Sequence, residues 1–76
     1  MVKYNGYPNW TQWNVALWIN NDEGLYMLAK DCVRHTKTRD AAARVMLEQL
    51  RDCGITKTPD GARYTITSIR HAMVEM

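Results

Sequence analysis

Between Asn9 and Gly24 the chain reads NWTQWNVALWINNDEG, with three tryptophans within nine residues and apolar side chains at every turn of a would-be helix. At about 100° per residue Trp10, Trp13 and Leu17 form one stripe, while Val15, Trp18 and Ile19 fall well around the cylinder and leave no broad polar face. The pattern predicts a helix over about Trp10 to Asn20. Asn9 is its N-cap, Gln12 stands at the third helical position as a variant of the capping box, and Pro8 and Trp13 take the two staple positions. Such a helix expects burial on most sides. Trp10, Trp13 and Leu17 are the expected core stripe. Trp18, with Val15 and Ile19 beside it, is expected to make contacts beyond the chain's own core, because Trp and Tyr dominate interface hot spots. The asparagines and acids of the stretch read as caps.

The rest of the chain has clearer phases. Asn20-Asn21-Asp22 supplies a stop and a new cap, and an amphipathic helix follows over about Asp22 to His35. Leu25, Leu28, Ala29, Cys32 and Val33 take one side of it, and Glu23, Lys30, Asp31 and Arg34 the other. After the polar break Thr36-Lys37-Thr38, Thr38 caps a third helix whose Ala42, Ala43, Val45, Met46, Leu50 and Cys53 oppose Arg44, Glu48 and Arg51; Gly54 is its stop. Thr58-Pro59-Asp60-Gly61 fits a type I turn. Beyond it, Thr65 caps a last helix with Ile66, Ile69, Ala72, Met73 and Met76 on one face. The rival reading pairs residues 55–58 with 63–67 as a β-hairpin, and a minimal hairpin before a short helix satisfies both. Residues 1–8, with Tyr4, Gly6, Tyr7 and Pro8, form an irregular arm that packs on the body. The expected fold is all-α: one domain over residues 1–76, of about four short helices, with a minimal hairpin around residues 55–67 as an option.

Composition adds limits. Seventy-six residues make one domain with a core only just sufficient, so support from a second copy or a partner is expected. A net charge of +2 falls short of the basic balance that by itself argues for nucleic acid. The longest apolar run, Val15 to Ile19, cannot span a membrane, and the first residues lack the pattern of a signal peptide, so a cytoplasmic protein is expected. Two cysteines, Cys32 and Cys53, read as buried thiols rather than a disulfide framework.

Three kinds of chemistry have candidates. Cys32 and His35, with Cys53 and His71, could be drawn into a Cys2His2 metal set, but their spacing matches no standard finger and no metal or cofactor is expected. Lys30, Arg34, Lys37 and Arg39, with Arg44 further along, form a basic strip suited to phosphate or an acidic protein patch; Asp31, Asp40, Glu48 and Asp52 interrupt it. No phosphate loop, metalloprotease motif or nucleophile elbow is present, and no enzyme is expected.

Asn9-Trp10, Trp13-Asn14-Val15, Leu17-Trp18, Asn21-Asp22 and Leu25-Tyr26 together resemble a family of small uncharacterised proteins scattered through bacteriophages, prophages and plasmids. The hallmark of that family is approximately N-[YW]-x-x-W-N-V-x-L-W-x-x-N-[DE]. Pro59-Asp60-Gly61 and Ile69-Arg70-His71-Ala72-Met73 resemble its closing segment. The resemblance implies a mobile-element accessory protein in the cytoplasm of a bacterial host, one that inhibits a host defence component, in the manner of anti-CRISPR or anti-restriction proteins, by binding it. The interaction surface is expected at Trp18, Val15, Ile19, Tyr4 and Tyr7, on a homo-oligomer. Two alternatives stay open: a helix-turn-helix DNA-binding regulator using the basic strip, and an oligomeric sponge for a nucleotide defence signal.

Overall fold

The structure, a computed structural model, describes residues 6–74 and residue 76. Four helices follow one another: α1 (Trp10–Asn21), α2 (Glu23–Arg34), α3 (Arg39–Asp52) and α4 (Ile66–Ala72). Their starts are set by local chemistry. Asn9 Oδ1 accepts from the Gln12 N–H, Asp22 Oδ1 from Leu25 and Thr38 Oγ1 from Ala41, each taking up a backbone donor that the first turn leaves unpaired. α4 opens on a full capping box, in which Thr65 Oγ1 accepts from the Ser68 N–H and the Thr65 N–H donates back to Ser68 Oγ. Gly54 ends α3 with φ +75°, a conformation costly to any residue with a side chain.

Between α3 and α4 the chain turns back on itself. The Gly61 N–H donates to the Thr58 carbonyl, Thr58 N–H to Ala62, and Tyr64 N–H to Thr56, so that Lys57 and Arg63 face each other as an antiparallel pair. The minimal hairpin and the short helix of the sequence reading therefore coexist. The class is all-α with one hairpin added.

The helices form a closed ring. α1 packs on α2 and α4, and α3 packs on the same two helices from the other side. Val15, Ala16 and Ile19 of α1 meet Ala29 and Cys32 of α2, Ala42, Ala43, Met46, Leu47 and Leu50 of α3, and Ile69 and Ala72 of α4. Five of these are alanines, which allow close helix approach. Ala62 and Tyr64 of the hairpin close one end.

Three expectations are corrected. In α1 the core face is the opposite one: Val15 and Ile19 are 0% exposed, whereas Trp10 is 39% and Leu17 37% exposed. Compact side chains fit an alanine-lined seam that an indole would wedge apart. In α3, Val45 lies at the surface and Leu47 is buried in its place. Cys53, at the cap of α3, is exposed rather than buried.

Candidate functional site

α1 carries a buried amide that its own helix cannot use. Asn14 points at the hairpin, where its Nδ2 donates to Asp60 Oδ2 at 2.9 Å and its Oδ1 accepts from Thr58 Oγ1 at 2.6 Å. One turn further on, Trp18 Nε1 donates to the same Asp60 oxygen at 3.0 Å. Thr58 Oγ1 in turn accepts from the Ala62 N–H at 3.0 Å. Two stretches far apart in the chain, Asn14 to Trp18 and Thr58 to Gly61, thus form one hydrogen-bonded unit that clamps the hairpin to α1. Buried polar side chains are tolerated when satisfied in this way. Asn14 is therefore no cap, unlike Asn9 and Asp22.

The Asp60 carboxyl is held below its usual range, first by the Asn14 hydrogen bond and second by that from Trp18, against a small opposing desolvation. A folded-state value below the unfolded one means that the unfolded chain binds the proton more readily. The contribution is then present above the unfolded value of about 4 and is lost as pH falls through the lower folded value. We expect urea midpoints of the native chain to fall as pH drops from about 5 to 2, and the Asp60→Asn chain to lose part of that slope. Parallel slopes in the two chains would show that the carboxylate does not carry the acid response.

Beside the clamp runs an open groove of about 490 Å³. Trp18, Leu25, Ile55 and Pro59 supply its apolar walls, Lys57 lies on its rim, and Tyr64 forms part of its lining. Tyr64 is only 4% exposed. Burial, and then the Asp22 carboxylate, push its phenol above the ordinary range. Its hydroxyl makes no hydrogen bond with another described residue and, unlike Gln12 Oε1, is not sealed from solvent.

The residues singled out by sequence are scattered. Trp18 is half-buried and belongs to both the clamp and the groove. Val15 and Ile19 are wholly inside the ring, so neither belongs to an interaction surface of the folded chain. Tyr7 is half-buried against the core, and Tyr4 lies outside the described residues. Of the basic strip, Lys30 stands over the Tyr26 ring, 5.5 Å from its centroid, and Arg34, Lys37 and Arg44 are exposed. Arg39 is put to structural use: its Nε donates to the Met73 carbonyl at the end of α4 at 2.8 Å. Nearby, Asp40 pairs with Arg70 at 3.3 Å. α2 and α3 are consecutive packed helices, and Arg39, the first residue of α3, is exposed as a whole but has its Nε bound at the end of α4. Thr58, Asp60 and Tyr64 were missed. The available signal was Asn14 itself, an amide within an apolar helix that requires a partner.

Among the described residues no three His, Cys, Asp or Glu side chains are grouped to hold a metal ion. Burial, followed by Asp31, raises the Cys32 thiol above its usual range, which makes it a poor nucleophile. Among the described residues no helix is long and apolar enough to cross a membrane. Fold and surface together define a small all-α protein with a hairpin clamped to its first helix and apolar side chains on its outside. The chain belongs to the family described as "Family of unknown function (DUF7249)", whose model matches residues 1–76. No curated protein and no solved structure matches it.

Proposed function

We propose that the protein is a noncatalytic accessory protein of a phage or other mobile element, and that it inhibits a host defence component by direct binding. The observation that supports this mode of action is the apolar surface around α1. Trp10 and Leu17 stand exposed one face away from Trp18, which opens with Ile55 and Pro59 onto the groove. Exposed large apolar side chains on a body whose helices are capped and whose hairpin is clamped suit a preformed contact surface. The host and target class come from the resemblance carried by Asn9 to Asp22, and self-association through the same surface belongs to the proposal.

Expression of the chain in defence-positive bacteria should raise the plating efficiency of a restricted phage and leave it unchanged in isogenic hosts that lack the defence. Equal plating with and without the chain, across hosts carrying CRISPR and restriction systems, would sink the proposal. The DNA-binding alternative receives less support, because Arg39 is occupied at the end of α4 and Asp40 is paired beside it.

A further inference from the structure

The hairpin has an unpaired strand edge within the segment that lines the groove. Lys57 and Arg63 form the pair whose own peptide groups are not exchanged: the hydrogen bonds run from Thr58 to Ala62 and from Tyr64 to Thr56 on either side. In an antiparallel ladder, such residues direct their N–H and C=O groups away from the partner strand. The Lys57 peptide N–H and carbonyl accordingly have no hydrogen bond among the described residues, and neither does the Ile55 carbonyl. Ile55, Lys57 and Pro59 all line the groove. Unpaired edges of this kind accept an extended peptide as an added strand.

The groove contributes three further features. Its walls at Trp18, Leu25, Ile55 and Pro59 are apolar, and the groove is open along its length, a shape that suits an extended segment better than a fully enclosed ligand. Tyr64 lines the groove, and its hydroxyl, which reaches solvent there, makes no hydrogen bond with another described residue. An accessible hydroxyl with no partner in the chain can donate to an incoming carbonyl. Lys57 places a positive charge on the rim. The groove thus carries one charge of each sign: Lys57 on the hairpin, where an incoming strand would lie, and the Asp22 carboxylate at the start of α2, its Oδ1 engaged by the Leu25 N–H.

We propose that this groove is a docking site for an extended peptide segment of the partner protein, one carrying an apolar side chain beside an acidic residue. The apolar side chain seats against Trp18, Leu25 and Ile55, the acidic residue meets Lys57, and the peptide backbone pairs with the 55–57 edge and the Tyr64 hydroxyl. The inference names the contact surface of the proposed inhibitor and rests on that reading for the identity of the partner, though not for the existence of the site.

The test is selection of a random twelve-residue peptide library on the intact immobilised chain, followed by affinity measurement of the enriched peptides. Peptides with an aliphatic or aromatic residue within two positions of Asp or Glu should be enriched. Ile55→Asp, a change at an exposed position, should weaken them roughly tenfold or more. Lys57→Glu should shift the preference of a fresh selection toward basic peptides. Tyr64→Phe, which keeps the ring and removes only the hydroxyl, should weaken binding about threefold to tenfold. Circular dichroism of each variant establishes that the fold is retained. No enrichment, or enriched peptides that bind Ile55→Asp and Tyr64→Phe as tightly as the native chain, overturns the site. Phage protection that persists in Ile55→Asp overturns the groove and leaves the inhibitor reading standing. Peptide binding without any phage protection supports the groove and sinks the inhibitor reading.

Discussion

Replacing Asn14 by alanine should cost about 2 to 3 kcal/mol, a large share of the roughly 4 to 11 kcal/mol available to a chain of this length. The loss has three sources. Thr58 Oγ1 loses its buried acceptor, Asp60 loses one of the two donors that hold its charge, and a small void opens between α1 and the hairpin. Removal of one partner from a buried hydrogen-bonded set costs more than the net worth of the bond, because the other groups remain desolvated. The measurement is the urea midpoint at neutral pH with the slope unchanged. Asn14→Asp adds a sharper diagnostic. The new carboxyl would sit against Asp60, and two like charges at hydrogen-bond distance push one of their folded-state values upward. The variant should therefore lose more than Asn14→Ala at pH 7 and regain part of that loss as pH falls through the raised value, opposite in sign to the native response. If Asn14→Ala loses no more than Asn21→Ala, a change on the exposed side of the same helix, the clamp does not hold the hairpin.

This clamp also shows which parts of the molecule the sequence could express. Helix boundaries were legible because they are written in neighbouring residues: Asn9, Asp22, Thr38 and Thr65 each bond a backbone N–H three positions on. The hairpin and α4 were legible for the same reason, through Thr58 to Gly61 and the capping box. The clamp joins residues 46 positions apart, and no local rule reports such a partner. The phase of α1 was unreadable for a different cause. A helix with apolar side chains all round has no polar face to orient it, so size and partner chemistry decide. Three tryptophans drew the expected core to Trp10, Trp13 and Leu17. The alanines of α2 and α3 instead leave a narrow seam that admits Val15 and Ile19.

That assignment gives the second large effect, a contrast between two residues only two positions apart in α1. Ile19→Ala should destabilise by about 2 to 5 kcal/mol, because Ile19 is wholly enclosed by α1's neighbours and the rigid alanine seam collapses poorly onto a void. Ile19→Val should lose only about 1 kcal/mol, the graded response expected of methylene removal in a packed site. Leu17, exposed on the other side of the helix, should tolerate alanine with a loss below about 1 kcal/mol. Leu17→Glu should also remain folded, and would strip an apolar group from the stripe it shares with Trp10. Thermal melts of the three alanine and valine variants test the packing. Light scattering of the native chain and Leu17→Glu tests the surface: a mass that falls on substitution places the copy-to-copy contact on this stripe, and an unchanged mass assigns the stripe no part in it. Equal destabilisation by Ile19→Ala and Leu17→Ala would mean that α1 is buried on both sides, returning the exposed stripe to the core where its tryptophans first suggested it belonged.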